Sequence, residues 1–187
     1  MANAAPHRPT GTGHVFWLFG LSGAGKSTLA HALANDLRQG GRSVLELDGD
    51  RLRSGLCRGL GFSTEERAEN LRRAAEVAKL GLDSGLCVVA AFITPLNENR
   101  ALVASIVGRD ALSFVFVDAP LDVCRQRDVK HLYAAAARGD VQKFTGVSAA
   151  FEPSPDADLQ VPSAQESVAE SSARLRAFAW DKLTGAR

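Results

Sequence analysis

The chain has 187 residues, which is enough for one globular domain with a sizeable core of its own. Its composition, 45% hydrophobic and 23% charged, excludes a disordered or collagen-like chain. With 22 Lys and Arg against 21 Asp and Glu the net charge is +1, so no global field can hold a nucleic-acid backbone, and we expect no nucleic-acid partner.

Apolar runs and cysteines indicate the compartment and the extent of the domain. The apolar runs are shorter than the roughly 18 residues that cross a bilayer, so we expect no membrane partner. Residues 1–13 are polar and lack the features of a signal peptide, which predicts a flexible leader on a cytoplasmic protein, followed by one domain over 14–187. Cys57, Cys87 and Cys124 are far apart, and we expect them to be reduced and packed.

Short β-branched and aromatic runs alternate with longer stretches at helical spacing, which predicts an α/β fold. In chain order, strands are expected at 14–19, 43–47, 86–93, 112–117 and, as a short fifth, 159–161. Helices are expected at 26–39, from about 63 to 85, after Pro95, after Pro120, over 131–138 and over 165–182.

Local signals refine some of these segments. Ser63 and Glu66 have the spacing of a capping box, which predicts the start of the second helix. In the last helix, Val168, Leu175 and Phe178 should pack inward. Residues 139–163 include three prolines and are expected to form a loop long enough to act as a lid.

The strongest chemical signal is a G-x-x-x-x-G-K-S segment between the first predicted strand and the first predicted helix. Its glycines let successive N–H groups point at a phosphate, and the helix N-terminus adds partial positive charge. The lysine would reach the β- and γ-phosphate oxygens, and the serine would bind Mg²⁺. The segment and the residue after it comprise Gly20, Leu21, Ser22, Gly23, Ala24, Gly25, Lys26, Ser27 and Thr28. They predict a site for a nucleoside triphosphate.

A pair of carboxylates follows the second predicted strand. The chain has no N-K-x-D motif and no room for the accessory regions of a motor, which favours a small-molecule kinase over a GTPase or a motor ATPase. Asp48 and Asp50 lie at the carboxyl end of the strand, the edge where open α/β sheets bind ligands. Asp48 could organise Mg²⁺ or accept the proton of an attacking hydroxyl. A turn or cap role is the alternative for both aspartates, and an N-cap role suits Asp50 in particular.

An arginine-rich stretch with an aromatic ring and an amide comes next. Arg67 and Asn70 are three residues apart and share a helix face, and Arg53 and Phe62 precede them. Guanidinium groups grip oxyanions and an aromatic ring stacks on a base, so the stretch could hold an anionic nucleotide. For any single arginine, a solvated charged face is the alternative.

Six segments together resemble the adenylylsulfate kinase family. They read FWLFGLSGAGKST at 16–28, DGDRLRSGL at 48–56, LGFSTEERAENLRRAAEVAKL at 60–80, AFITP at 91–95, FVDAPLDVCRQRDVKHLY at 116–133 and KFTG at 143–146. The resemblance implies a three-layer P-loop kinase fold: a central parallel sheet in strand order 2-3-1-4-5, flanking helices and a lid over about 130–160. It also implies a homodimer, and transfer of the γ-phosphoryl group of MgATP to the 3′-hydroxyl of adenosine 5′-phosphosulfate (adenylylsulfate). The product would be 3′-phosphoadenosine 5′-phosphosulfate.

The same resemblance implies roles for individual residues. Lys26 and Asp48 would be catalytic, with Asp48 as general base or, together with Ser27, as a ligand of Mg²⁺. The phosphate loop and Arg127 would bind ATP, with Arg127 near its adenine. The acceptor pocket would comprise Phe62 and Phe144, which sandwich the adenine of adenylylsulfate, and Asp50, Arg53, Arg67, Asn70, Ile93, Thr94, Lys130 and Lys143.

Three departures from the family pattern mark places where the activity could differ. Thr94 replaces the usual serine, which excludes a mandatory phosphoserine intermediate. Four alanines at 134–137 stand where the family has basic residues, which predicts weaker contacts to ATP phosphates. The sequence Ser-Ala-Ala at 148–150 lacks the Asp and Pro of the family, which predicts altered lid closure.

Two other functions are compatible with the residues. One is a kinase of the same fold that acts on another nucleotide-linked anion. The other is a non-catalytic ATP-binding module, which would bind MgATP without turnover.

Overall fold

The computed structural model describes residues 13–129, 131–138 and 144–185. Its strands form one parallel sheet in the order β2-β3-β1-β4-β5. They are β1 (Val15–Phe19), β2 (Val44–Asp48), β3 (Cys87–Ala91), β4 (Leu112–Asp118) and β5 (Leu159–Pro162). The five expected strands and their expected order are confirmed. The leader expected over 1–13 lies outside the described residues, apart from Gly13.

Helices precede or follow each strand. They are α1 (Lys26–Gln39), α2 (Gly49–Ser54), α3 (Thr64–Asp83), α4 (Asn97–Val107), α5 (Leu121–Arg127), α6 (Leu132–Ala137) and α7 (Val168–Thr184), with a 3₁₀ turn at Arg109–Ala111. α1 has the expected bounds, and the capping box at Ser63 and Glu66 starts α3 as predicted. Among the described residues, no helix is both long enough and apolar enough to cross a membrane.

The sheet is buried on both faces because successive side chains of a strand point to opposite sides. In β1 all five residues are buried. Phe16 and Leu18 pack in the core cluster that contains the leucines of α1 and Leu175 of α7. Trp17 and Phe19 pack in the second cluster, with the apolar faces of α3 and α4. The result is the expected three-layer α/β architecture.

Two local expectations are wrong. The sequence pattern does not predict α2, a helix of six residues, and the N-cap role that suits Asp50 belongs to Asp48: the Asp48 side chain accepts from the Asp50 N–H. Val168 was expected to pack inward but is 60% exposed. It is the first residue of α7 and lies before the part of the helix, including Leu175, that packs into the core. The cysteines are free and buried, as expected.

His14, just before β1, predicts a loss of stability in mild acid. Its Nε2 lies 2.9 Å from Ser113 Oγ, and burial, with the nearby charge of Lys182, lowers the pKa of His14 from 6.5 to about 4. The unfolded chain therefore takes up a proton near pH 6.5 and the folded chain only near pH 4. The stability that the neutral imidazole contributes is complete above pH 6.5 and is lost as the pH falls towards 4.

We expect His14→Gln to remove this acid sensitivity. Between pH 7 and pH 4.5, the wild type should lose about 2 kcal/mol more unfolding free energy than the variant, measured by urea denaturation. His31→Gln, at a side chain 65% exposed, is the control and should behave as the wild type. Equal losses in wild type and His14→Gln would contradict the prediction.

Candidate active site

The segments that follow β1, β2 and β3 meet at the carboxyl edge of the sheet and line a cavity of about 430 Å³. The opposite wall comes from α3, from α6 and from residues on either side of α6. Most of the predicted site residues line this cavity: Ser22, Gly23, Gly25, Lys26, Ser27, Thr28, Asp48, Asp50, Arg53, Phe62, Arg67, Asn70, Ile93, Thr94 and Phe144. The phosphate loop and the proposed acceptor residues therefore share one cavity. Lys130 and Lys143 lie outside the described residues.

The phosphate loop leaves the N-terminus of α1 open to an anion. α1 begins directly after Gly25, whose φ of 103° lies in the left-handed region that favours glycine. Within the described residues no side chain caps α1, and its first turn contains no acidic residue. Lys26 adds a positive charge there, and its Nζ donates to the Leu21 carbonyl at 2.7 Å. These N–H groups, the helix dipole and the lysine all favour a bound phosphate.

Packing fixes the path of this loop. Leu21 and Ala24 are buried in the core and are not among the residues that line the cavity. Gly20 has φ of 149°, and a Cβ there would lie 2.4 Å from the Val117 carbonyl oxygen. Neither the conformation nor the space at Gly20 admits a larger residue.

Side chains from distant segments also hold the phosphate loop. The Tyr133 hydroxyl donates to the Ser22 carbonyl at 3.0 Å, and Ser163 Oγ donates to the Ala24 carbonyl at 2.7 Å. Arg127 donates through Nη2 to the Ser163 carbonyl at 2.7 Å and through Nη1 to the Gly23 carbonyl at 3.4 Å. Arg127 is thus bound to the loop itself and is not among the residues that line the cavity.

Asp48 connects the carboxyl end of β2 to the phosphate loop. Its Oδ1 accepts from the Asp50 N–H at 2.9 Å, and its Oδ2 accepts from Ser27 Oγ at 2.7 Å. The N-cap bond holds the carboxylate in place, and the other oxygen faces the serine hydroxyl. One carboxylate and one hydroxyl beside a phosphate site form the oxygen donor set that Mg²⁺ uses when it also binds phosphates and water.

Two arginines and an aromatic ring form the acceptor side. Arg53 donates to the Gly61 carbonyl at 3.0 Å, and its guanidinium carbon lies 4.3 Å from the centre of the Phe62 ring. Phe62 is 55% exposed, so much of its ring surface is open. Arg67 donates to the Phe62 carbonyl at 3.0 Å and to Thr145 Oγ1 at 2.6 Å. Burial and the nearby charge of Arg53 lower the pKa of Arg67, which favours an anion between them.

Asn70 carries an unsatisfied acceptor. The side chain is buried on α3, and its Oδ1 has no hydrogen-bond partner among the described residues. A buried amide oxygen without a partner costs about 1–3 kcal/mol. Because Asn70 lines the cavity, a ligand with an N–H or O–H group could supply the missing donor.

Thr94 follows β3 in a strained backbone conformation. Its φ of 42° is in the left-handed region, which is unfavourable for a β-branched residue by about 1–3 kcal/mol. The side chain is only 1% exposed, and its Oγ1 accepts from Trp17 Nε1 at 2.8 Å. The hydroxyl that replaces the family serine is therefore engaged inside the protein.

The lid segment brings aromatic and polar groups to the far wall. The Phe144 and Tyr133 rings meet edge to face, with centroids 4.8 Å apart. Asp128 accepts from the Tyr133 and Ala134 N–H groups at 3.0 Å each, which holds the start of α6. Ser148 Oγ accepts from the Phe144 N–H at 2.9 Å, so the turn is closed although the family aspartate is absent.

Several of these contact residues received no individual role from the sequence. Tyr133 and Thr145 stand inside quoted family segments, but spacing alone does not show that they reach Ser22 and Arg67. Ser163 lies beyond β5 with no local signal. A sequence pattern does not show which main-chain carbonyls accept from Tyr133 and Ser163.

Comparisons with known proteins agree with this geometry. The family model described as Adenylylsulphate kinase matches residues 12–162. An adenylyl-sulfate kinase of Bacteroides thetaiotaomicron is 47% identical over 169 residues, which cover 90% of this chain and 84% of the relative. One from Paraburkholderia xenovorans is 49% identical over 165 residues, 88% of this chain and 92% of the relative.

Solved structures give the same result. The Mycobacterium tuberculosis APS kinase CysC, in complex with AMPPNP and APS, is 39% identical with a TM-score of 0.86, covering 91% of this chain and 99% of that chain. A gluconokinase from Sinorhizobium meliloti, at 19% identity and a TM-score of 0.63, covers 93% and 95% and shares the fold alone. By sequence and structure together, this chain belongs to the adenylylsulfate kinase family.

Proposed function

We propose that this protein transfers the γ-phosphoryl group of MgATP to the 3′-hydroxyl of adenosine 5′-phosphosulfate, giving ADP and 3′-phosphoadenosine 5′-phosphosulfate. The observation that carries the proposal is the shared cavity, in which a complete phosphate loop faces two arginines, an asparagine and an open aromatic ring. In-line phosphoryl transfer needs donor and acceptor in one enclosed space.

On the donor side, the phosphate loop binds the triphosphate. The N–H groups at the start of α1 donate to phosphate oxygens, and Lys26 leaves the Leu21 carbonyl to reach the β- and γ-phosphates. Positive charge at this position stabilises the charge on the phosphoryl oxygens during transfer. Arg127, Ser163 and Tyr133 donate to carbonyls of the loop, which supports its path around the phosphates.

The residues present fit Mg²⁺, with Ser27 and Asp48 as its protein ligands. Bound there with ATP, the ion would neutralise part of the negative charge of the phosphates. Asp48 has a second task, since a carboxylate at the sheet edge can accept the proton of the attacking 3′-hydroxyl. Its N-cap bond to the Asp50 N–H holds one oxygen, and the other oxygen, which accepts from Ser27 Oγ, is the one that faces the phosphate site.

On the acceptor side, three kinds of group match adenylylsulfate. The adenine stacks on the open ring of Phe62, with Phe144 on the far wall, and the phosphosulfate lies near Arg53 and Arg67. Asn70 Oδ1 accepts from a hydroxyl or amino group of the substrate, which satisfies the buried oxygen. Ile93 and Thr94 contribute main chain, because the Thr94 hydroxyl is bound to Trp17.

We extend the proposal to the assembly and setting of the protein. Family membership supports a homodimer. It also supports the roles of Lys130 and Lys143 in the acceptor pocket and of Arg127 in ATP binding. A cytoplasmic location stays a prediction from the leader composition.

The experiment that tests the function is an assay of the purified protein with MgATP and adenylylsulfate, with AMP, with CMP and without an acceptor. ADP release is followed, and the product is identified by mass. Selective turnover with adenylylsulfate and a product heavier by one phosphate supports the proposal. Turnover with another acceptor would keep the kinase and discard its substrate, and ATP binding without turnover would leave a binding module.

Phe62→Ala tests the acceptor side. We expect the KM for adenylylsulfate to rise about 5- to 150-fold, because stacking of a base on an aromatic ring is worth about 1–3 kcal/mol. The KM for MgATP should change little. Leu80→Ala, at an exposed apolar residue of α3, is the matched control. An unchanged KM for adenylylsulfate would remove Phe62 from the pocket.

A further inference from the structure

Arg100 is a buried arginine on α4 that lies behind the acceptor pocket. Arg100 lies three residues after Asn97, the first residue of α4, and is only 6% exposed. The guanidinium donates to the Thr94 carbonyl at 3.0 Å, to the Glu152 carbonyl at 2.9 Å and to Asn97 Oδ1 at 2.5 Å. The charge also lies over the ring of Phe19, 4.9 Å from its centre. A buried cation with acceptors from separate segments ties those segments together.

The first of these segments is the turn Ile93–Thr94–Pro95, which follows β3. Three contacts hold its strained backbone: Trp17 Nε1 donates to Thr94 Oγ1, Arg100 donates to the Thr94 carbonyl, and the Gly20 N–H donates to the Ile93 carbonyl at 3.3 Å. A strained conformation persists only where its surroundings determine it fully, and such residues concentrate at functional sites.

The second segment is the arm 151–152, which returns from the lid. The Glu152 N–H donates to the Pro95 carbonyl at 2.8 Å, and Glu152 Oε2 accepts from the Asn97 N–H at 2.5 Å. Phe151 stacks on Phe116 of β4, with ring centroids 5.9 Å apart. The arm is therefore docked against the turn, and Arg100 lies where the two meet.

We propose that Arg100 is a positioning residue for the acceptor, which sets the turn after β3 and the lid arm relative to each other. Through the turn it places the main chain of Ile93 and Thr94, and through the arm it places Phe144 and Thr145, six to eight residues earlier in the same segment. Thr145 in turn accepts from Arg67. Arg100 itself is not among the residues that line the cavity, so it acts through the groups that do. The proposal rests on the proposed function for its kinetic consequence.

The kinetic test compares Arg100→Met with Arg100→Lys. We expect Arg100→Met to raise the KM for adenylylsulfate at least about tenfold and to leave the KM for MgATP within about twofold. Arg100→Lys keeps the charge but lacks the planar fork that reaches several acceptors, so its KM for adenylylsulfate should fall between wild type and Arg100→Met. Equal rises for the two substrates, or an unchanged KM for adenylylsulfate, would overturn the proposal.

Arg109→Met is the matched control. Arg109 also donates to a main-chain carbonyl, that of Leu112, and its guanidinium lies 5.8 Å from the ring centre of Phe114. It precedes β4, at the end of the sheet away from the cavity. We expect both KM values of Arg109→Met to match the wild type.

Hydrogen exchange of the full chain provides a readout that does not depend on activity. In Arg100→Met the amides of 144–152 should exchange at least about tenfold faster than in wild type, and those of α1 should be unchanged. If Arg100→Met fails to fold, Asn97→Ala takes its place, because it removes the amide oxygen that orients Arg100. The amides of 144–152 should then exchange faster than in wild type, by a smaller factor than in Arg100→Met. Unchanged exchange in a folded variant would overturn the proposal, whether or not the wild type turns over adenylylsulfate. Absence of turnover by the wild type would contradict the proposed function alone.

Discussion

Lys26→Ala is expected to reduce kcat at least about 10³-fold, because it removes the positive charge that stabilises the phosphoryl oxygens during transfer. The same change should leave the free energy of unfolding unchanged or raise it by several tenths of a kcal/mol. Lys26 is the first residue of α1, where a positive charge opposes the helix dipole. Activity should therefore fall without any loss of stability, which a variant that is merely misfolded cannot reproduce.

Steady-state assay and urea denaturation check the two parts of this prediction. Lys79→Ala is the control, since Lys79 is a lysine on α3 that forms an ion pair with Asp83 away from the cavity. It should retain the kcat of the wild type. A Lys26→Ala variant with more than about a tenth of the wild-type kcat would exclude the assigned role.

The parts of the fold that sequence predicts well are those with local causes. The five strands are apolar runs, and α3 begins where Ser63 and Glu66 form their capping box. The phosphate loop is equally local, because its glycines and Lys26 lie within a few residues of one another. Residue chemistry alone indicated the stretch with Arg53, Phe62, Arg67 and Asn70 as a site for an anionic nucleotide. The family resemblance added the other acceptor residues, and those that the structure describes line the same cavity.

What the sequence misses depends on contacts between distant segments. Tyr133 and Ser22 are 111 residues apart, and Arg67 and Thr145 are 78 apart. No spacing rule connects them, because the partners meet only after the sheet has formed. The short helix α2 is missed for a different reason: its six residues are too few to show the apolar periodicity of a helix.

The altered lid contains a contact that its sequence pattern does not show. Loss of the family aspartate predicts altered lid closure, which stays a prediction, while Ser148 Oγ accepts from the Phe144 N–H within the turn. A short hydroxyl side chain can form such a local bond to the main chain. The alanines of α6 are strong helix formers, and their effect on ATP binding stays a prediction.

Asp48→Asn should separate the two tasks of this carboxylate. Asparagine caps a helix about as well as aspartate, so α2 and the free energy of unfolding should be preserved to within about 0.5 kcal/mol. The variant loses the negative charge, and we expect kcat to fall about 10²- to 10⁴-fold at saturating substrates. If Asp48 acts mainly as a Mg²⁺ ligand, raising the Mg²⁺ concentration should restore part of the rate; if it acts mainly as the base, it should not. Glu46→Gln is the control, because Glu46 lies two residues earlier on β2 and pairs with His31 and Arg38. It should keep the wild-type rate. An equal loss of rate in Glu46→Gln would show that the effect comes from disturbing the strand rather than from the Asp48 carboxylate.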